Sequence, residues 1–187
     1  MEYQYERPRH LTLREYLAGE ETNQPMELDC GVVREPPAPS WSHQIIVGRA
    51  FVILHDHVSR RQLGSVVQAP VDVVLDRERP LVVQPDLVFI AAERLHICTD
   101  RVWGPPDLVV EVLSKGTARY DSTVKLSRFQ KYGVRECWLI DPVALDVNVV
   151  TFTESTRSCQ VYSEQELVQS RVLSELHFRA GDLFTQV

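Results

Sequence analysis

Three observations predict a mixed α/β fold. Two short runs, QPDLVFI and PPDLVVEVLS, are apolar and of strand length. Around them lie stretches with helical spacing and residues suited to helix ends. A later pair of apolar stretches, DVNVVTFT and SCQVYS, has the form of a hairpin. At 187 residues, one domain spanning 1–187 is expected, long enough for a substantial core.

Taken in order, Thr12, Leu13, Arg14 and Glu15 have the spacing of a capping box, opening a short helix that ends near Gly19. A hairpin is expected over about 26–35. A proline-rich loop from Pro36 to Ser40 then leads into a helix over about 42–58, with Ile45, Ile46, Phe51, Val52 and Leu54 on its buried side. Gly64 precedes an expected strand over 65–75, a turn near 76–80 and a strand over 82–90. Strand 108–113, helix 122–132 and strand 136–140 follow, and the late hairpin pairs 146–153 with 158–163. The core order is α-β-β-β-α-β, with an N-terminal helix and hairpin before it and the C-terminal hairpin after it. No repeat, low-complexity tract or linker interrupts it.

Composition narrows the class. Hydrophobic residues at 44% and charged residues at 25% are ordinary for a globular chain. No apolar run has the length of a membrane span, and MEYQYERPRH lacks a signal-like apolar segment, so a cytoplasmic location is the default expectation. Cys30, Cys98, Cys137 and Cys159 are scattered, which points to neither a zinc site nor a disulfide framework.

The chemistry concentrates between Pro105 and Pro142. Strand alternation puts Asp107, Val109, Glu111 and Leu113 on one face and Leu108, Val110, Val112 and Ser114 on the other. Both faces are largely apolar, so the strand is expected to be central and covered on both sides. A carboxylate there is costly unless it is paired or binds a metal. Glu111 therefore either serves a site or meets an arginine or solvent at the strand end. Asp86 shows the same oddity at the start of its own apolar strand. In the next helix, Asp121 or Ser122 can cap the start and Gly133 follows the end. Lys125, Phe129 and Tyr132 share one stripe. That stripe draws Lys125 towards the sheet, unless its ammonium snorkels to water. Lys115, Lys125 and Lys131 are the only lysines in a chain whose usual cation is arginine.

These residues resemble the Uma family of restriction endonucleases, within the PD-(D/E)XK nuclease superfamily. The likeness rests on DLVVEVLS, then Asp121 and Lys125, then YGVRECWLIDP. It extends over nearly the whole chain through MELDCGVV, PPAPSWSH, QPDLVFI and the terminal SRVLSELHFRAGDLF. It implies a restriction-endonuclease-like mixed sheet with Asp86 and Glu111 as the paired acids. The superfamily's lysine normally stands two residues after the second acid, but that position is Leu113; the resemblance supplies it instead from the following helix as Lys125. Cys30 interrupts the family's Asp-Gly turn here. Glu27 matches a glutamate that recurs in the family's entry hairpin. His43, at the start of the first core helix, is a further candidate beside the ordinary surface or capping role of such a histidine.

The implied chemistry is Mg²⁺- or Mn²⁺-dependent cleavage of phosphodiester bonds in DNA. Asp86, Glu111 and the carbonyl of Val112 would offer hard oxygen ligands, with Lys125 stabilising charge. Two carboxylates make no tight cage, so metal binding without nucleic acid is expected to be weak. If the two acids converge without a metal they should repel, and either amide variant should then raise stability. Net charge of −6 and pI of about 5.5 oppose binding to a polyanion. Locally the balance reverses, because Lys115, Arg119, Lys125, Arg128, Lys131 and Arg135 are accompanied by Asp121 alone. Lys115, Arg119, Arg128 and Lys131 are the nucleic-acid-binding candidates, and a solvated helix face is the alternative for the same patch. Arg60, Arg61, Arg77 and Arg79 are expected on loops. A twofold homodimer is expected, with the late hairpin offering an edge. A non-catalytic binding or assembly module is the competing functional class; an unrelated α/β hydrolase finds no G-x-S-x-G and no phosphate-cradling glycine loop.

Overall fold

The computed structural model describes residues 9–20, 24–114 and 121–185 and has two mixed sheets. The first contains, in spatial order, β2 (Val32–Arg34), β1 (Glu27–Asp29), β5 (Leu81–Val83), β4 (Val73–Asp76) and β7 (Val102–Trp103). The second contains β11 (Arg157–Ser163), β10 (Asp146–Phe152), β9 (Glu136–Asp141), β8 (Leu108–Val112), β6 (Leu87–Ala91) and β3 (Gly64–Gln68). Its central pair, β8 and β9, is parallel, which requires a crossover connection. That connection includes a π-turn over Asp121–Lys125 and the helix α3 (Leu126–Tyr132).

The caps form as the residue types dictate. Thr12 and Glu15 close a reciprocal capping box on α1 (Leu13–Leu17). Ser40 accepts a hydrogen bond from the His43 amide at the start of α2 (Trp41–Arg61). Gly133 ends α3 in the left-handed region at φ 92°, where glycine meets no Cβ penalty. Side chains 121 and 122, the expected caps of this helix, lie outside the described residues. The π-turn before α3 was not anticipated, because Asp121–Lys125 carries no signal for the wider turn.

Two expected strands break. Residues 65–75 form β3 and β4, and residues 82–90 form β5 and β6. β3 pairs with β6 in the second sheet, while β4 pairs with β5 in the first. Pro70 and Pro85 stand at the two breaks. Each lacks an amide hydrogen for the ladder, and both arms of one long hairpin leave one sheet for the other there. The Ala69 amide still donates to the Asp86 carbonyl across the bend, at 2.9 Å. Val52 is also corrected. It is 65% exposed, while Val47, Ala50 and Val58 take buried positions on α2. Arg60 and Arg61 belong to the last turn of that helix and not to a loop.

The alternation read along β8 divides the core as expected. Leu108, Val110 and Val112 face α2 and the C-terminal segment, where Leu173, Phe178 and Leu183 complete the cluster. Val109 lies on the other face with Phe129 of α3 and with Val73 and Val83 of the first sheet. The outer side of the first sheet packs under Tyr16 of α1 through Leu28, Val74 and Val82. Asp107 and Glu136, each fully buried at a strand start, are satisfied by the protein. Asp107 meets Arg94, Arg135 and the Ala91 amide, and Glu136 meets Trp138, Ser170 and the Arg171 amide.

Asp29 joins β1 to α3 through Arg128 and also meets Arg34. Burial pushes its carboxyl pKa up, but hydrogen bonding and attraction from Arg128, together with Arg34, more than offset this and leave it below the ordinary aspartate value. A depressed folded-state pKa stabilises the fold above the unfolded value and loses that contribution as pH falls through the folded one. Asp29→Asn is therefore expected to cost about 1–2 kcal/mol at neutral pH. Urea melts should show that difference shrinking once pH drops below about 4, the ordinary aspartate range.

Candidate active site

The bend between the sheets gathers the polar groups. Asp86 follows Pro85 and immediately precedes β6. Continuing the antiparallel register Leu87↔Val110 by one step sets Asp86 across from Glu111. Asp86 Oδ2 accepts the Val112 amide at 2.7 Å, so the first acid is anchored to the strand carrying the second. Its Oδ1 lies 3.1 Å from His43 Nε2 on the first turn of α2. A proton on Nε2 lets the ring donate to the carboxylate; Nδ1, buried, then finds no partner among the described residues. His43 is thus turned inward onto Asp86, contrary to a surface role.

Lys125 reaches the site from the π-turn. Its Nζ lies 2.9 Å from Glu111 Oε1 and 3.0 Å from Glu27 Oε1. All three side chains are less than a tenth exposed, so the lysine does not snorkel; its ammonium is held between two buried carboxylates. Glu111 thus has a buried cation as a partner. Phe129, one turn on, fills the core and fixes the face that α3 presents to the sheet.

Glu27 has its own scaffold. Its Oε1 accepts the Gln84 amide at 3.3 Å. The Gln84 side chain accepts the Met26 amide and donates to Asp72, and Tyr16 bonds both Asp72 and the Met26 carbonyl. Burial, then the neighbouring Asp72 charge, pushes the Tyr16 phenol far above its ordinary pKa, so it stays a proton donor. Sequence reasoning missed Tyr16, Asp72 and Gln84. Their signal was weak: Asp72 stands two residues after Pro70 and Gln84 next to Pro85, which becomes legible only once the strands are known to bend there, and Tyr16 carried none.

Of the basic candidates, Lys115 and Arg119 lie outside the described residues. Arg128 is engaged with Asp29, whereas Lys131 is exposed beside Tyr132, 4.8 Å from its ring centroid. Tyr132 in turn donates to Asp76 in the β4–β5 turn.

Among the described residues, no group of three or more His, Cys, Asp or Glu side chains is arranged to hold a metal ion. The hard donors at hand are the carboxylates of Asp86 and Glu111 and the main chain of Val112 between them. A hard divalent cation that keeps most of its own waters fits such a set; a soft or fully caged one does not. Asp86, with a side chain 20% exposed, is the more open of the two acids.

The chain matches the Uma2 family model, described as "Putative restriction endonuclease", over residues 12–181. It belongs to the Uma2 family. Membership supports a nuclease, a hydrolase acting on nucleic acid. Among solved structures, this Uma2 chain is similar to one from Anabaena variabilis ATCC 29413, described as a "putative nuclease belonging to DUF820". The two share 23% identity over 93% of this chain and 97% of that one, with a TM-score of 0.78. At that identity the likeness establishes a nuclease-like mixed α/β fold. No curated protein matches the chain. No helix among the described residues is long and apolar enough to cross a membrane.

The ion contacts reverse the expected response to neutralising the acids. Glu111 has a lysine partner and Asp86 has two donors, so removing either charge forfeits contacts instead of relieving repulsion. Glu27 and Glu111 form a further carboxylate pair, bridged by Lys125. Lys125→Met is therefore expected to destabilise the fold by about 3–5 kcal/mol, because it leaves buried carboxylates facing each other. Adding Glu27→Gln and Glu111→Gln to it should recover most of the loss in urea unfolding. A Lys125→Met protein as stable as the parent would show that water, not the lysine, carries these charges.

Proposed function

We propose that this chain is an endonuclease that hydrolyses phosphodiester bonds in DNA with Mg²⁺ or Mn²⁺. The observation that carries the reading is Lys125 Nζ at 2.9 Å from Glu111 Oε1, which returns to the acid pair the ammonium missing at Leu113. Asp86, Glu111 and the Val112 carbonyl would hold the cation. When bound, it would supply Lewis-acid activation of a water and neutralise phosphate charge. His43 and the Val112 amide fix Asp86 in place, limiting the reorganisation needed for ligation. The Lys125 ammonium lies beside the acids, where negative charge would grow on the phosphate, and its burial strengthens that stabilisation. Exposed Lys131 would contact the DNA backbone, as would Lys115, Arg119 and, after release from Asp29, Arg128. Such contacts offset the acidic net charge only locally, so binding should weaken steeply with salt.

Asp86→Asn, Glu111→Gln and Lys125→Met should each lower Mn²⁺-dependent nicking of plasmid DNA by about 100-fold or more. Circular dichroism must show folded protein in each case, and equal cleavage by all four proteins would refute the assignment. A second reading has its own support. Both oxygens of Asp86 and one of Glu111 already have protein donors, as expected of groups that only hold the fold. In that reading the chain is a non-catalytic binding or assembly module, and no variant alters cleavage.

We also infer a twofold homodimer, the simplest way to place two such sites on opposite strands of a duplex. β11 supports it. This seven-residue strand ends the second sheet, pairs only with β10 among the described residues, and exposes Val161. Light scattering at micromolar concentration should give twice the chain mass; a monomer would favour nicking over double-strand cleavage.

A further inference from the structure

Glu27 lies outside the acid pair and the described contacts give it no route to the cation except through a lysine. We propose that Glu27 is a positioning residue that takes over the Lys125 ammonium when Glu111 turns to a divalent cation. The proposal rests on the metal-site reading above and adds a role that reading does not need.

The geometry sets up the exchange. Lys125 Nζ is nearly equidistant from the two glutamates, at 2.9 Å from Glu111 and 3.0 Å from Glu27. Passing from a shared to a one-sided ion pair therefore requires no new partner, only a small shift of the ammonium towards Glu27. The two carboxylates differ in what else holds them. Glu27 is pinned by the Gln84 amide, and Gln84 is clamped by Met26 and Asp72, so its oxygen is a fixed point. Glu111 is the last residue but one of β8 and neighbours Val112, whose amide holds Asp86. It is the carboxylate with a cation site beside it.

Electrostatics gives the exchange its direction. A cation arriving between Asp86 and Glu111 repels the ammonium and competes with it for the Glu111 oxygens. With Glu27 ionised, the lysine keeps a full counter-charge as it yields. With Glu27 neutral, Glu111 carries a larger share of that ammonium, and the cation must break a stronger pair to bind. Glu27 therefore favours cation binding without touching the cation. Direct ligation by Glu27 differs in one measurable respect, because its effect would not pass through Lys125.

A double-mutant cycle on Mn²⁺ binding, read by calorimetry without DNA, separates the two. Glu27→Gln should raise the Mn²⁺ Kd by about tenfold, since a charged partner of the competing lysine is lost. Glu27→Gln with Lys125→Met removes the competitor as well and should restore Kd to within about threefold of the parent, or below it. The paired change removes one buried charge of each sign, so it is expected to fold even where Lys125→Met alone does not. An unchanged Kd in Glu27→Gln overturns the proposal, as does a double variant that stays as weak as Glu27→Gln. Asp86→Asn distinguishes the deeper failure. A parent that does not bind Mn²⁺, or binds it equally after Asp86→Asn, overturns both the metal-site reading and this inference. A parent that depends on Asp86 but not on the Glu27–Lys125 coupling overturns this inference alone.

Discussion

One ammonium between two buried carboxylates is the constraint around which the polar centre of this fold is arranged. Isolated buried charges are expensive, and a buried pair repays its desolvation only with close geometry and further hydrogen bonds. Lys125 meets that condition by bringing together elements distant in sequence, with Glu27 on the first hairpin and Glu111 at the end of β8. The same contact fixes the direction of α3, because Phe129 can enter the core only if Lys125, one turn earlier, faces the sheet. Arg128, three residues further along, reaches back to the first hairpin at Asp29. Charge contacts thus reinforce the docking that the apolar stripe establishes.

The two prolines explain why this centre lies where it does. A long hairpin in a single sheet would bury Asp72, Gln84 and Asp86 within a ladder, where their polar groups would have few partners. Breaking the ladder at Pro70 and Pro85 sends β4 and β5 into a second sheet and opens a seam. Polar side chains can fill that seam and satisfy one another. Tyr16, Asp72, Gln84 and Glu27 form one continuous hydrogen-bonded group there. Asp86 lies on the other side of the break, bound to His43 and to β8.

The legibility of this protein in its sequence followed how local each signal was. The capping box at Thr12, the helix end at Gly133, the alternation along β8 and the Lys125–Phe129 stripe are set by neighbours within a turn or a strand. They read correctly. That Glu111 needs a partner was legible because a carboxylate in an apolar strand contradicts its surroundings, and the stripe shared with Phe129 drew Lys125 towards the sheet. Breaks within 65–75 and 82–90 were missed although Pro70 and Pro85 stood in plain view. Apolar periodicity outweighed the missing amide hydrogens. The π-turn left no compositional trace. Val52 was assigned to the core by hydrophobicity, yet helix phase turns it to solvent and chooses Val47, Ala50 and Val58.

The contrast between Glu27 and Asp107 shows why burial of a carboxylate does not by itself identify a site. Asp107 is completely buried, but two arginines and a main-chain amide surround it, and their directional bonds account for its charge. Glu136 is likewise occupied by an indole, a hydroxyl and an amide. Both hold strand starts in place. Glu27 and Glu111 instead share the ammonium of Lys125, so that one lysine side chain answers two carboxylates. Asp86, partly open and across from Glu111 in the register, lies next to that pair. The exchange we propose asks a carboxylate to trade a lysine for a metal ion, which a carboxylate ringed by arginines and main-chain amides is poorly placed to do. On this physical ground the nuclease centre we propose is built on Asp86, Glu111 and Lys125, and not on the more deeply buried acids elsewhere in the same sheet.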